Sequence, residues 1–190
     1  MEFFEPKTVP DVNVRELLRY AGAKGDTTLD SLVSDVISEA DGLLSYRVIY
    51  LTLPVVIEGD TVKLGALSTS SGDLRKNLLG CDQAIIFGAT VGSGIDRLIT
   101  KYGRLSPSRA LLLQAYGSER IESLCDEFCK FLSSSGKILR PRFSSGYGDL
   151  PLDFQRDVFA LLDCKRIGLT LNESLSMSPS KSVTAIVGLK

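Results

Sequence analysis

The sequence predicts an α+β fold, with a mixed and largely antiparallel sheet against which helices pack. Three observations predict it. Segments of helical period and segments of strand period interleave irregularly rather than in strict β-α-β order. RVIYLTLPVVI, then Glu58-Gly59-Asp60, then TVKLGAL reads as a hairpin. The 190 residues are 44% hydrophobic and 24% charged, which suits one core and argues against disorder. We therefore expect a single domain over 1–190, with a helical and hairpin part (1–80) and a ligand-binding part (81–190).

The elements follow in order. In NVRELLRYA, 13–21, Asn13 caps a helix, with Glu16 three residues on. Val14, Leu17, Leu18 and Ala21 share its face, and Gly22 to Gly25 stops it. A second helix over 28–44 carries Leu29, Leu32, Val33, Val36, Ile37 and Ala40 at helical spacing. The hairpin over 47–57 and 61–67 contains Pro54, which argues for an edge or a bulge. A short helix over 73–79 closes at Gly80, and QAIIFGAT, 83–90, is a buried-type strand. VGSGIDRLITKYG opens a helix through a glycine turn. Ser106-Pro107 starts the longest helix, which runs to about Leu132 and ends in SSSG. KILRPRF, 137–143, reads as a strand, Phe154 to Leu162 as a helix, and IGLTL, 167–171, as a strand. A polar loop over 172–182 precedes the last strand, VTAIVGL, 183–189.

Composition narrows the chemistry. With 22 basic and 23 acidic residues and no basic run, no field draws nucleic acid or a membrane surface. No apolar run is long enough for a bilayer, and MEFFEPKTVPD lacks the cations and apolar stretch of a signal peptide. A cytoplasmic location is the default. Histidine is absent, which removes imidazole bases, Ser-His and Cys-His pairs and the commonest zinc ligand. No catalytic residue and no metal ligand is assigned. Cys125 and Cys129 share a helical face, as buried thiols or as a metal edge, and the four cysteines fit no zinc or redox spacing.

Three segments carry recognition chemistry. FGATVGSGID, 87–96, places glycines between a strand and a helix, where phosphates bind, but its spacing fits a plain connection better. In RPRFSSGYGDLP, 140–151, Arg142 offers a fork for a carboxylate, Gly146 and Gly148 permit close backbone approach, and Tyr147 offers a ring face. Asp149 either balances a cation or caps the next helix, near Pro151. These groups suit a small zwitterion with an aromatic or sulfonium part; the alternative is a strand-to-helix loop whose arginines make surface ion pairs. In TLNESLSMSPSKSV, Glu173 and Lys181 are the charged groups.

RFSSGYGDLPLDFQRDVFALLD followed by IGLTLNESLSMSPSKSVTAIVGL resembles the activation domain of cobalamin-dependent methionine synthase, most of all its short stand-alone relatives. VRELLRYAGAKG and GCDQAIIFGATVG are similar to the same relatives. The resemblance implies that domain's fold and binding of S-adenosylmethionine. It implies Arg142 on the methionyl carboxylate, backbone contacts from Ser144 and Gly146, and Tyr147 beside the sulfonium. Asp149, Glu173 and Lys181 are further candidates. The chain departs from the family in lacking tryptophan, and with it the Asp-Trp-Thr-Pro segment, and in having Val187 and Gly188 where the family has aromatics.

The implied role is a methyltransferase component. It reactivates cobalamin carried by a methionine synthase, or related corrinoid protein, that lacks its own activation domain. Flavodoxin or ferredoxin supplies the electron, and the reduced corrinoid is methylated by S-adenosylmethionine. Two other roles stay open. One is a non-catalytic module that docks on a corrinoid protein and has lost the ligand. The other is a different S-adenosylmethionine-using transferase on this scaffold.

Overall fold

The computed structural model describes residues 1–190, and its elements show why the chain folds as one sheet between two helical layers. The strands are β1 (Glu2–Phe4), β2 (Arg47–Glu58), β3 (Thr61–Leu64), β4 (Leu67–Thr69), β5 (Gln83–Thr90), β6 (Thr170–Leu171), β7 (Met177–Ser178) and β8 (Ser182–Leu189). The helices are α1 (Val14–Tyr20), α2 (Asp30–Ala40), α3 (Gly72–Leu78), α4 (Gly94–Leu105), α5 (Pro107–Ser133) and α6 (Phe154–Leu161). The main sheet runs β4-β3-β2-β5-β8, every pair antiparallel, with β1 on the first half of β2. This is the α+β architecture that the sequence predicts.

Strand alternation divides the core. On β5, Ile85, Phe87 and Ala89 face one layer with α1, α2, α4 and α5. Ala84 and Ile86 face the other, with α3 and α6. β8 follows the same rule, Ala185, Val187 and Leu189 facing the first layer and Ile186 the second. Phe128 of α5 fills the centre of the first layer, its ring 5.0 Å from those of Tyr50 and Phe87 and 5.4 Å from that of Phe4.

Several expectations are corrected. β1 escaped notice, because three residues carry too little period to register. The strand expected over 61–67 is two strands, folded back at Gly65, which has φ of 58°. Pro54 lies where β2 leaves β5 and takes up β3, so it marks a change of partner within a central strand. KILRPRF is not a continuous strand. It makes only isolated bridges to β8, Leu139 to Leu189 and Phe143 to Ile186, because Pro141 has no N–H to give between them. IGLTL is a short 3-10 turn, a left-handed Gly168 and then β6, which pairs only with β7. Asn13 does cap α1, accepting from the Glu16 N–H at 3.2 Å. The reciprocal half of the box is absent, since the Asn13 N–H donates to Glu119 of α5 and Glu16 turns to Arg19.

One feature of α5 is invisible in the sequence. Glu119 and Arg120, neighbours in the chain, form a buried ion pair, and Arg120 also donates to the carbonyls of Pro10 at 2.6 Å and Asp11 at 2.9 Å. This pins the segment before α1 against the long helix. No helix is long and apolar enough to cross a membrane.

Candidate functional site: the Arg142 edge

The bridge between Phe143 and Ile186 sets the local geometry. Phe143 exchanges both backbone hydrogen bonds with Ile186, at 2.9 and 2.8 Å, so residues 142 and 144 turn their backbone groups away from β8. The N–H groups of Arg142, Ser144 and Ser145 have no partner within the chain. The outermost edge of the sheet thus presents free donors just where Arg142 projects.

Alternation then separates the side chains. Phe143 enters the α3/α6 layer, while Arg142 lies toward α5. Its Nη2 donates to Glu122 Oε2 at 2.7 Å and its Nη1 to Asp126 Oδ1 at 2.8 Å. Glu122 and Asp126 are four apart on α5 and so stack on one face. Burial works to lower the Arg142 pKa, but the electronegative surroundings of Cys125, Glu122 and Asp126 outweigh it, and the guanidinium stays charged.

Tyr147 goes the other way. Its ring meets that of Phe143 edge-on, with centroids 5.7 Å apart, and 70% of the residue is exposed. Arg142 and Tyr147 therefore do not share a cleft, and the single cradle expected from the loop is not formed. Gly146 and Gly148 have φ of 83° and 56°, as expected of a turn that must fold tightly. The Gly146 N–H is spent on the Leu150 carbonyl and the Tyr147 N–H on the Ser144 carbonyl, so Ser144 rather than Gly146 keeps a free donor.

Asp149 is taken. Its carboxylate accepts from the Ser71 hydroxyl and from the N–H groups of Gly72, at 2.7 Å, and Asp73, at 3.1 Å, so it caps α3. The cap was foreseen on the wrong helix, since proximity in sequence to Pro151 hid the approach of α3. These hydrogen bonds, the Ser71 one first, hold the carboxyl below its usual range. A lowered folded-state pKa means the stabilisation is full above the unfolded carboxyl pKa, about 3.9, and is lost as the pH falls through the folded value. Asp149→Asn is expected to lower the melting temperature at pH 7 by about 2–4 °C. In melts from pH 7 to pH 2.5 the gap to wild type closes at the acid end.

The C-terminal loop splits between two anchors, and neither Glu173 nor Lys181 reaches Arg142 through its own contacts. The Glu173 carbonyl accepts from Arg156 at 2.7 Å, which ties the turn to α6. Lys181 lays its stem over Gly117 of α5, where a Cβ would come within 2.8 Å of Lys181 Cγ, and its Nζ donates to Ser118 Oγ at 3.0 Å. Burial lowers the Lys181 pKa, partly offset by Asp96. Ser118, Glu122 and Asp126 recur every four residues, so Lys181 and Arg142 dock along one stripe of α5.

The glycine turn after β5 is a plain connection. A Cβ at Gly94 would lie 2.1 Å from the Leu43 carbonyl oxygen, and Asp96 in the first turn of α4 accepts from the Ser180 N–H. An anion would meet that carbonyl and carboxylate. Cys125, Cys129 and Cys164 are not poised as nucleophiles, since burial raises Cys125 and Cys129 and, with help from Asp163, pushes Cys164 up to about 12. Two further concavities are open. One, of about 590 Å³, lies between α6 and β6 and is lined by Phe159, Leu162, Cys164 and Leu169. The other, of about 300 Å³ between α1 and α5, includes Glu16, Tyr20, Glu119, Glu122 and Asp126. The sequence missed Glu122 and Asp126 as partners of Arg142. Their spacing of four on a long helix was the available signal.

This antiparallel sheet between four helices and two matches the fold of the methionine synthase reactivation domain. The crystal structure of the MetH reactivation domain bound to AdoHcy matches this chain with a TM-score of 0.65 at 16% sequence identity. The match covers 85% of this chain and 64% of that one, so this chain spans just under two thirds of the solved domain's length. No protein-family model and no curated protein sequence matches.

Proposed function

We propose that the chain binds S-adenosylmethionine and its product S-adenosylhomocysteine along the Arg142 edge. It would serve as the reactivation partner of a corrinoid-dependent methionine synthase, or related cytoplasmic methyltransferase, that lacks such a domain. One observation carries the reading: Arg142 projects from the outermost edge of the sheet, where its own N–H and those of Ser144 and Ser145 have no partner within the chain. The shared fold and the paired C-terminal signatures support it. Arg142 suits the ligand's carboxylate, and the Ser144 and Ser145 N–H groups suit acceptors along the rest of it. When bound, the cofactor supplies a methyl group already activated by the sulfonium.

The chain's own contribution is alignment, which needs no side-chain base and agrees with the absence of histidine. The corrinoid belongs to the partner, and flavodoxin or ferredoxin is the proposed electron source.

Calorimetric titration with S-adenosylhomocysteine tests the ligand. Wild type is expected to bind, and Arg142→Ala to bind about ten- to a hundred-fold more weakly, as befits loss of charge-assisted hydrogen bonds. Unchanged affinity in Arg142→Ala removes the site. A second reading is favoured by one observation, that both terminal nitrogens of Arg142 are already paired with acids. On that reading the chain is a docking module for a corrinoid protein that no longer takes the ligand. Capture of a corrinoid domain by wild type and Arg142→Ala alike, with no heat from S-adenosylhomocysteine, selects it.

A further inference from the structure

We infer that Glu122 is the acceptor for the ammonium group of the ligand's amino-acid head, and that Asp126 is a built-in competitor which the ligand's carboxylate displaces. The inference rests on the reading of Arg142 as the carboxylate grip and assigns the opposite charge of the same zwitterion.

The two acids holding Arg142 are not equivalent. The Asp126 side chain is 64% exposed and bonds Arg142 through one contact. An exposed ion pair of this kind contributes little, so an incoming carboxylate exchanges for it readily. The Glu122 side chain is 45% exposed, makes the shorter contact, and stands on the more buried side of a guanidinium that is itself only 26% exposed. Its Oε2 receives Arg142 Nη2, and its Oε1 has no hydrogen-bond partner. With Asp126 displaced from Nη1, the guanidinium offers a free donor beside a carboxylate oxygen that lacks one. A carboxylate and an ammonium on one α-carbon are a short, fixed distance apart and match that pair of opposite charges. A simple carboxylate would meet only half of it, and would face the negative charge of Glu122 as well.

The two acids are therefore predicted to act in opposite directions, which a purely structural role does not produce. The probes are S-adenosylhomocysteine and its deaminated analogue, in which a butanoate chain on the same thioether keeps the carboxylate and lacks the ammonium. In calorimetry, Glu122→Gln is expected to weaken S-adenosylhomocysteine about tenfold and to leave the analogue unchanged or slightly tighter. Asp126→Asn is expected to tighten both probes a few-fold, with melting temperatures confirming that each variant is folded.

Equal weakening of both probes by Glu122→Gln would make Glu122 a mere support for Arg142 and overturn the inference. So would unchanged affinity for S-adenosylhomocysteine in Glu122→Gln, or weaker binding in Asp126→Asn. These failures leave the proposed ligand standing. If wild type binds neither probe, or Arg142→Ala binds as well as wild type, the ligand reading itself fails and the inference falls with it.

Discussion

Replacing Arg120 with alanine is expected to cost about 3–5 kcal/mol of stability, because it leaves the Glu119 carboxylate buried without its counter-charge. Glu119 and Arg120 are 2% and 0% exposed, and their contacts at 2.5 and 2.8 Å are bidentate. The guanidinium also closes the carbonyls of Pro10 and Asp11, so its loss orphans acceptors as well as a charge. The expected drop in melting temperature is on the order of 10 °C. Glu119→Gln combined with Arg120→Met removes both charges and is expected to recover part of it. Thermal melts of the single and double variants check this. A double variant no better than Arg120→Ala would show that the carbonyl contacts, rather than the stranded charge, dominate. Hydrogen exchange over residues 5–13 should rise in either variant, since that segment loses its clamp.

The second large effect is expected at Phe128. Its ring contacts aromatic rings on three strands: Phe4 on β1, Tyr50 on β2 and Phe87 on β5, and it stacks near Phe131 on its own helix. Phe128→Ala opens a cavity where α5 meets the sheet and is expected to cost about 3–5 kcal/mol, with Phe128→Leu costing clearly less. Urea unfolding measures both. Phe4→Ala is expected to cost less in the Phe128→Ala background than in wild type, because part of the Phe4 packing is on Phe128, the rest being on Phe131 at 4.9 Å.

What the sequence disclosed, and what it did not, divides by range. Where a signal is local and periodic it was legible: β5 is bounded by Gln83 and Thr90, α5 begins at Pro107, and β8 is continuous. The loop between Arg140 and Pro151 was recognisable as a place of unusual chemistry, and its glycines do adopt positive φ. The pairing that decides the site was not legible. Which face Arg142 takes depends on Phe143 standing opposite Ile186, a contact across 43 residues that no local pattern encodes. That register sends Arg142 to α5 and Phe143, with Tyr147, to the other layer. Asp149 fails for a related reason. Its partners Ser71, Gly72 and Asp73 lie more than 70 residues away, and an aspartate before a proline gives no hint of which helix it will cap.

Pro141 has a bearing on company as well as shape. A bare rim of β-structure invites a neighbour's chain to zip onto it, and proteins escape that fate by breaking the rim up and charging it. Here the imino acid punctures the rim between two isolated bridges, and Arg140 and Arg142 flank the gap. What is left is a broken, charged margin with too little unbroken length for a second polypeptide to register against.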